Sequence, residues 1–72
     1  MTNLRREKDG VKYPYVTVTS GISGFFAVMI WLNPDGDFEE PWETGIGRYK
    51  TSEKAKTEGK FWAESEEVDF RP

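Results

Sequence analysis

The stretch FFAVMIWL, residues 25–32, is apolar at every position. A strand with one face in water alternates apolar and polar residues, because successive side chains point to opposite sides of the sheet. An unbroken apolar strand therefore demands cover on both faces, and a chain of 72 residues has little material to supply it. The run is far too short for the ~20 residues that cross a bilayer as a helix. It stops at NPDG, residues 33–36, a strong turn signal. Proline presets φ at the second turn position, Asn33 can accept backbone hydrogen bonds, and Gly36 tolerates positive φ.

The flanking segments supply the rest of a sheet. VKYPYVTVTS, residues 11–20, is rich in valine, tyrosine and threonine and reads as a first strand. Val11, Tyr13, Tyr15, Thr17 and Thr19 share one face, with Lys12, Pro14, Val16, Val18 and Ser20 on the other. Pro14 has no N–H for a ladder, so this strand starts at an edge or only after that residue. SGISG is a turn into the apolar strand. Beyond NPDG, a bulged hairpin returns through DFEEPWET, residues 37–44, where Pro41 marks the third strand as an edge. GIGRYK, residues 45–50, is a loop.

Thr51 is a suitable N-cap for a helix over residues 52–67. Ala55, Gly59 and Ala63 fall on one helix face and allow close approach to a sheet, with Trp62 as the large anchor. A glycine inside a helix costs about 1 kcal/mol against alanine, a cost that close packing at Gly59 would justify. VDF, residues 68–70, is a short last strand or an apolar clasp. Residues 1–10, polar and ending in Asp9-Gly10, read as a flexible arm, and residues 11–72 as one domain. The expected fold is α+β: a three-stranded antiparallel meander sheet with one C-terminal helix packed on one face, and room for a short fourth strand.

One helix covers one face. Phe25, Ala27, Met29 and Trp31 point to one side of the apolar strand, and Phe26, Val28, Ile30 and Leu32 to the other. Register decides which set joins which residues of the first strand, and sequence alone does not fix it. Valines suit the side beneath a close helix, leaving the tyrosines on the open side. That open side is covered either by the arm, the 45–50 loop and the chain end, or by a second copy or partner protein. On the partner reading, the expected contacts are Phe25, Met29 and Trp31, joined by Tyr13 and Tyr15.

Glu64, Glu66, Glu67 and Asp69 crowd the helix C-terminus, where the macrodipole favours cations; each misplaced acid costs roughly 0.3–1 kcal/mol at low salt. Either Arg5, Arg6 or Arg48 lies alongside, or a frayed helix end tolerates the charge, or Glu64, Glu66 and Glu67 form an acidic patch that docks on a basic partner.

The chain has no histidine and no cysteine. That excludes Ser-His-Asp and Cys-His catalysis and the usual zinc sites, so no catalytic residue, cofactor or metal is expected. Asn33, Asp35 and Asp37 match the first ligand positions of a calcium loop, but Phe38 stands where glycine is required and Thr44 where glutamate is. Gly45-Ile46-Gly47 is only a fragment of a phosphate loop. A net charge of −3 argues against general nucleic-acid binding, and ten basic residues argue against imitation of DNA. A single-stranded nucleic-acid module would stack bases on Tyr13, Tyr15, Phe25 and Trp31 and hold phosphates with Arg5, Arg6, Lys8 and Lys12. The opening residues hold no apolar stretch of the kind a secretory signal needs, so the expected location is cytoplasmic, without a membrane partner.

The segment GRYKTSEKAKTEGKFWAESEE after a three-strand meander resembles, in size and layout, small ββα proteins encoded by phages and mobile elements. The resemblance implies a non-enzymatic module that binds and modulates a host or defence protein. A protein partner or homodimer is therefore the leading expectation, and a single-stranded nucleic-acid module the alternative.

Overall fold

The structure, a computed structural model, describes residues 5–72; the first four residues of the expected arm lie outside the described residues. The fold is α+β, with more strands than the expected three. A two-stranded ribbon pairs β1 (Arg6–Lys8) with β2 (Val11–Tyr13). A four-stranded sheet is built from β3 (Tyr15–Gly21), β4 (Gly24–Leu32), β5 (Glu39–Thr44) and β6 (Asp69–Phe70), in the order β5-β4-β3-β6. Helix α1 (Ser52–Glu66) joins β5 to β6. The meander β3-β4-β5 is antiparallel, whereas β6 lies parallel to β3.

The first strand of the ribbon and its turn occupy residues 6–10 of the expected arm. Asp9 and Gly10 both have positive φ, 53° and 80°, as a type I′ hairpin turn requires. Pro14 then ends β2, and β3 begins at Tyr15. Ile22-Ser23 turns tightly between the paired Gly21 and Gly24. At the next hairpin the buried Asn33 organises the turn: its Oδ1 accepts from the backbone N–H of Asp37 at 2.7 Å and of Phe38 at 3.2 Å. The register of β5 against β4 shifts between Met29 and Ile30, leaving Trp42 as the bulge in a strand that is indeed an edge.

Thr51 caps α1 as expected, its hydroxyl accepting from the Lys54 N–H. The buried helix residues are Ala55, Gly59 and Ala63. A Cβ on Gly59 would lie 2.9 Å from the Phe70 ring and 3.4 Å from side-chain carbons of Val16 and Ala27, so the missing side chain is what lets the helix settle on the sheet. Val16, Ala27, Met29 and Ala63 form the core, with Trp31, Trp62, Val68 and Phe70 packed around it. Val16 pairs with Met29 and Val18 with Ala27, so the helix sits on the valine side.

Candidate functional site

The helix takes the side carrying Phe25, Ala27, Met29 and Trp31, which corrects the expected contact surface. Met29 is 2% exposed and belongs to the core. Trp31 packs against that core, with its indole Nε1 buried and without a partner among the described residues. Phe25 is half-buried, bonded through its backbone to Tyr49 in both directions at 2.8 and 2.9 Å. These three residues are not on an open sheet face, and nothing docks on Met29 without first displacing the helix.

The other face carries Phe26, Val28, Ile30 and Leu32 from β4, with Tyr15, Thr17 and Thr19 opposite them on β3. No helix lies on it, yet Val28 and Leu32 are buried and Phe26 and Ile30 half-buried. Long side chains from three directions close it. The Arg48 guanidinium stacks 4.3 Å from the Phe26 ring centre while donating to the carbonyls of Gly45 and Gly47. Arg71, just past β6, lies 5.6 Å from the Tyr15 ring centre. At the far end Tyr13 and Tyr15, rings 5.4 Å apart, both donate to one oxygen of Glu39, at 2.6 and 3.0 Å. That charge-assisted bond is the main reason the Tyr13 hydroxyl is pushed up to about 12. Burial, followed by the same carboxylate, raises Tyr15. Both phenols therefore stay protonated at neutral pH and are poorly suited to nucleophilic or proton-transfer work.

Three of the four basic residues expected to hold phosphates are also committed, while Lys12 of the ribbon stands exposed. Arg5 donates to the carbonyls of Glu67 and Glu66 at 2.7 and 2.8 Å, capping the C-terminus of α1. Arg6 donates to Asn33 and Pro34, and Lys8 to Gly36 and Asp37, along the 33–37 turn. Arg5 thus supplies the positive charge that the acidic helix end lacks in its own last turn. Glu64, Glu66 and Glu67 remain exposed around it.

A different surface is left open. Between α1 and residues 44–49 runs a groove of about 450 Å³, floored by Ala27 and lined by Ile46, Tyr49, Phe61 and Trp62. Ile46 is fully exposed and Phe61 is 64% exposed. Gly47 keeps the loop tight here, since the Tyr49 ring occupies the space a Cβ would need. Glu58 is the one charged side chain lining the groove. Two sequence signals point to it. Phe61 and Trp62 are adjacent in a helix, so both cannot face the same core. Ile46 is an isolated apolar residue between two glycines of a loop.

Among the described residues no helix is long and apolar enough to cross a membrane. The fold and the groove define a small α+β domain with an open apolar groove beside its helix. No protein-family model, curated protein or solved structure matches the chain.

Proposed function

We propose that the protein is a non-enzymatic protein-binding module whose contact surface is the groove between α1 and residues 44–49. The carrying observation is the pairing of two strongly exposed apolar side chains, Ile46 and Phe61, across a formed cleft. Burying each against a partner is worth about 1.5–3 kcal/mol, and a cleft concentrates that gain as a scattered surface residue does not. The resemblance in size and layout to small phage-encoded proteins makes a host or defence protein the class of partner this reading favours. The sheet-face dimer loses its support, because guanidinium and carboxylate groups now cover that face. Pairing of two β5 edges would bring Glu39, Glu40 and Glu43 of each copy against one another and confront Pro41. The nucleic-acid alternative loses Arg5, Arg6 and Lys8, which already serve backbone carbonyls.

The test is a photo-crosslinking amino acid at position 61, compared with the same label at the exposed Lys56, in extract of cells that carry the chain. The expected result is a discrete adduct from position 61 alone, competed by unlabelled protein but not by Ile46→Ser. Adducts that form equally from both positions, or none, would sink the reading. Light scattering over a wide concentration range distinguishes a second copy from a different protein as the species captured.

A further inference from the structure

The two sides of the sheet end in differently guarded strands. At β5 the outer edge carries Glu39, Glu40 and Glu43, is interrupted by Pro41 and bulges at Trp42, each a device that discourages a further strand. On the other side β6 pairs only with Tyr15 and Val16 of β3. Residues 17–21 continue past its end with neither a charge nor a proline, and Thr19, Ser20 and Gly21 are exposed. No other described strand runs beside them.

The direction of the backbone there follows from its bonded neighbours. The Val16 carbonyl accepts from the Arg71 N–H at 2.8 Å, so the polar groups of Val16 face the β6 side. Every second residue of a strand faces the same way, which turns the N–H and C=O of Val18 and Ser20 outward as well. Their partners on β4 agree. Ala27, opposite Val18, accepts from Gly45, and Phe25, opposite Ser20, bonds to Tyr49, both on the side away from β3. The edge thus presents two donors and two acceptors repeating about every 7 Å, a pattern that another extended backbone matches.

We propose that this edge takes up an extended segment of a partner protein as an added strand, continuing the slot that β6 begins. The Val18 and Ser20 N–H groups donate to carbonyls of that segment, and their own carbonyls accept from its amides. Its side chains lie beside Thr17 and Thr19 on one face and Val18 on the other, which suits uncharged, β-branched residues without proline. A second copy of the chain fits less well. Pairing Val18 with Ser20 of the copy places Gly21 of that copy opposite Thr17, where Arg71 leaves β6. The site lies across the sheet from β5 and is independent of the groove.

Random peptides displayed and selected on the intact chain test this. Ser20→Pro removes one outward N–H and no bond of the β3–β4 ladder, so circular dichroism should find its fold unchanged. A synthetic copy of a selected peptide should bind that variant about tenfold more weakly, yet bind an Ile46→Ser/Phe61→Ser variant as tightly as the wild type. N-methylation along the peptide backbone gives a readout that needs no variant of the chain. Binding should be lost at alternate residues and kept at those between. Tolerance at every residue, or loss at consecutive ones, overturns the added strand. Failure to recover a peptide that Ser20→Pro weakens also overturns it; peptides that depend on Ile46 and Phe61 instead leave the groove reading standing by itself. A dimer in light scattering that Ser20→Pro dissolves makes a second copy the occupant and overturns the partner segment.

Discussion

On the helix side of β4, small residues and a glycine bring two backbones together until Val16 has no exposed surface at all. On the opposite side no second layer arrives, and Phe26 and Tyr15 lie under guanidinium groups reaching in from Arg48 and Arg71. The first cover is made of close-packed carbon, and it loses contacts outright when a side chain shrinks. The second is made of long amphipathic side chains whose stems lie over apolar surface while their charged ends stay in water. A chain this small thus dries an unbroken apolar strand with one helix and a handful of side chains. Of the strongly exposed large apolar residues, Ile46 and Phe61 meet at the groove by the helix edge, while Ile22, Phe38 and Trp42 stand elsewhere.

The sharpest way to break this comparison is to shorten one side chain in the packed layer. Met29→Ala should lower the unfolding free energy by about 3 kcal/mol, as truncation of a buried methionine does, read as a shift in urea midpoint with little change in slope. A loss under about 1 kcal/mol would mean that the helix side collapses into the space and is not a rigid layer.

Next in size is the tie between ribbon and sheet. Tyr13→Phe removes a hydroxyl bonded to a carboxylate and should cost about 1.5 kcal/mol at neutral pH. The pH dependence gives an independent check. A phenol raised from 10 to about 12 in the folded state binds its proton more tightly folded than unfolded. Its contribution is complete below pH 10 and fades as pH rises from there through about 12. The difference in stability between wild type and Tyr13→Phe should therefore shrink across that interval, and a constant difference would show that Glu39 does not control the phenol.

The helix and its buried stripe were legible in the sequence because Ala55, Gly59 and Ala63 carry a helical period and Thr51 a capping side chain. Asn33-Pro-Asp-Gly was legible for the same reason: local chemistry dictates local geometry. The two sides of β4 could be listed but not assigned, because register is a relation between strands, and the expectation that valines lie under the helix held through side-chain size alone. The contact set Phe25, Met29 and Trp31 was placed on the open side without that register, and the pairing of Val16 with Met29 overturns it. The ribbon was missed although Asp9-Gly10 is a hairpin signal, since REK carries no apolar residue and VKY reads as the start of the following strand. What holds it is side-chain donation from Arg6 and Lys8 to the carbonyls of a turn nearly thirty residues away, a contact with no periodic trace. Of the readings open for the acidic helix end, the structure selects Arg5 alongside it.

Arg48→Ala probes the second cover directly and should cost about 1 kcal/mol, combining a lost cation–π contact with lost packing of its stem on Phe26. Hydrogen exchange should quicken at the backbone bonds joining Phe25 to Tyr49, while those between β3 and β6 stay slow. A cost approaching that of Met29→Ala would make the Arg48 side a second core, and the contrast between the faces would disappear.

The smallest expected effect is at Ile46. A fully exposed residue has no contact to lose on folding, so Ile46→Ser should change stability by less than about 0.5 kcal/mol, measured by the same urea titration. The near-zero value discriminates because leaving isoleucine in water brings the folded chain no burial, and its conservative removal should then act on partner binding alone. A loss above about 1 kcal/mol would place Ile46 among the residues that close the sheet, on a par with Arg48. The groove would then be a seam of the fold, and the exposed apolar surface that the binding reading requires would have to be found at Ile22, Phe38 or Trp42 instead.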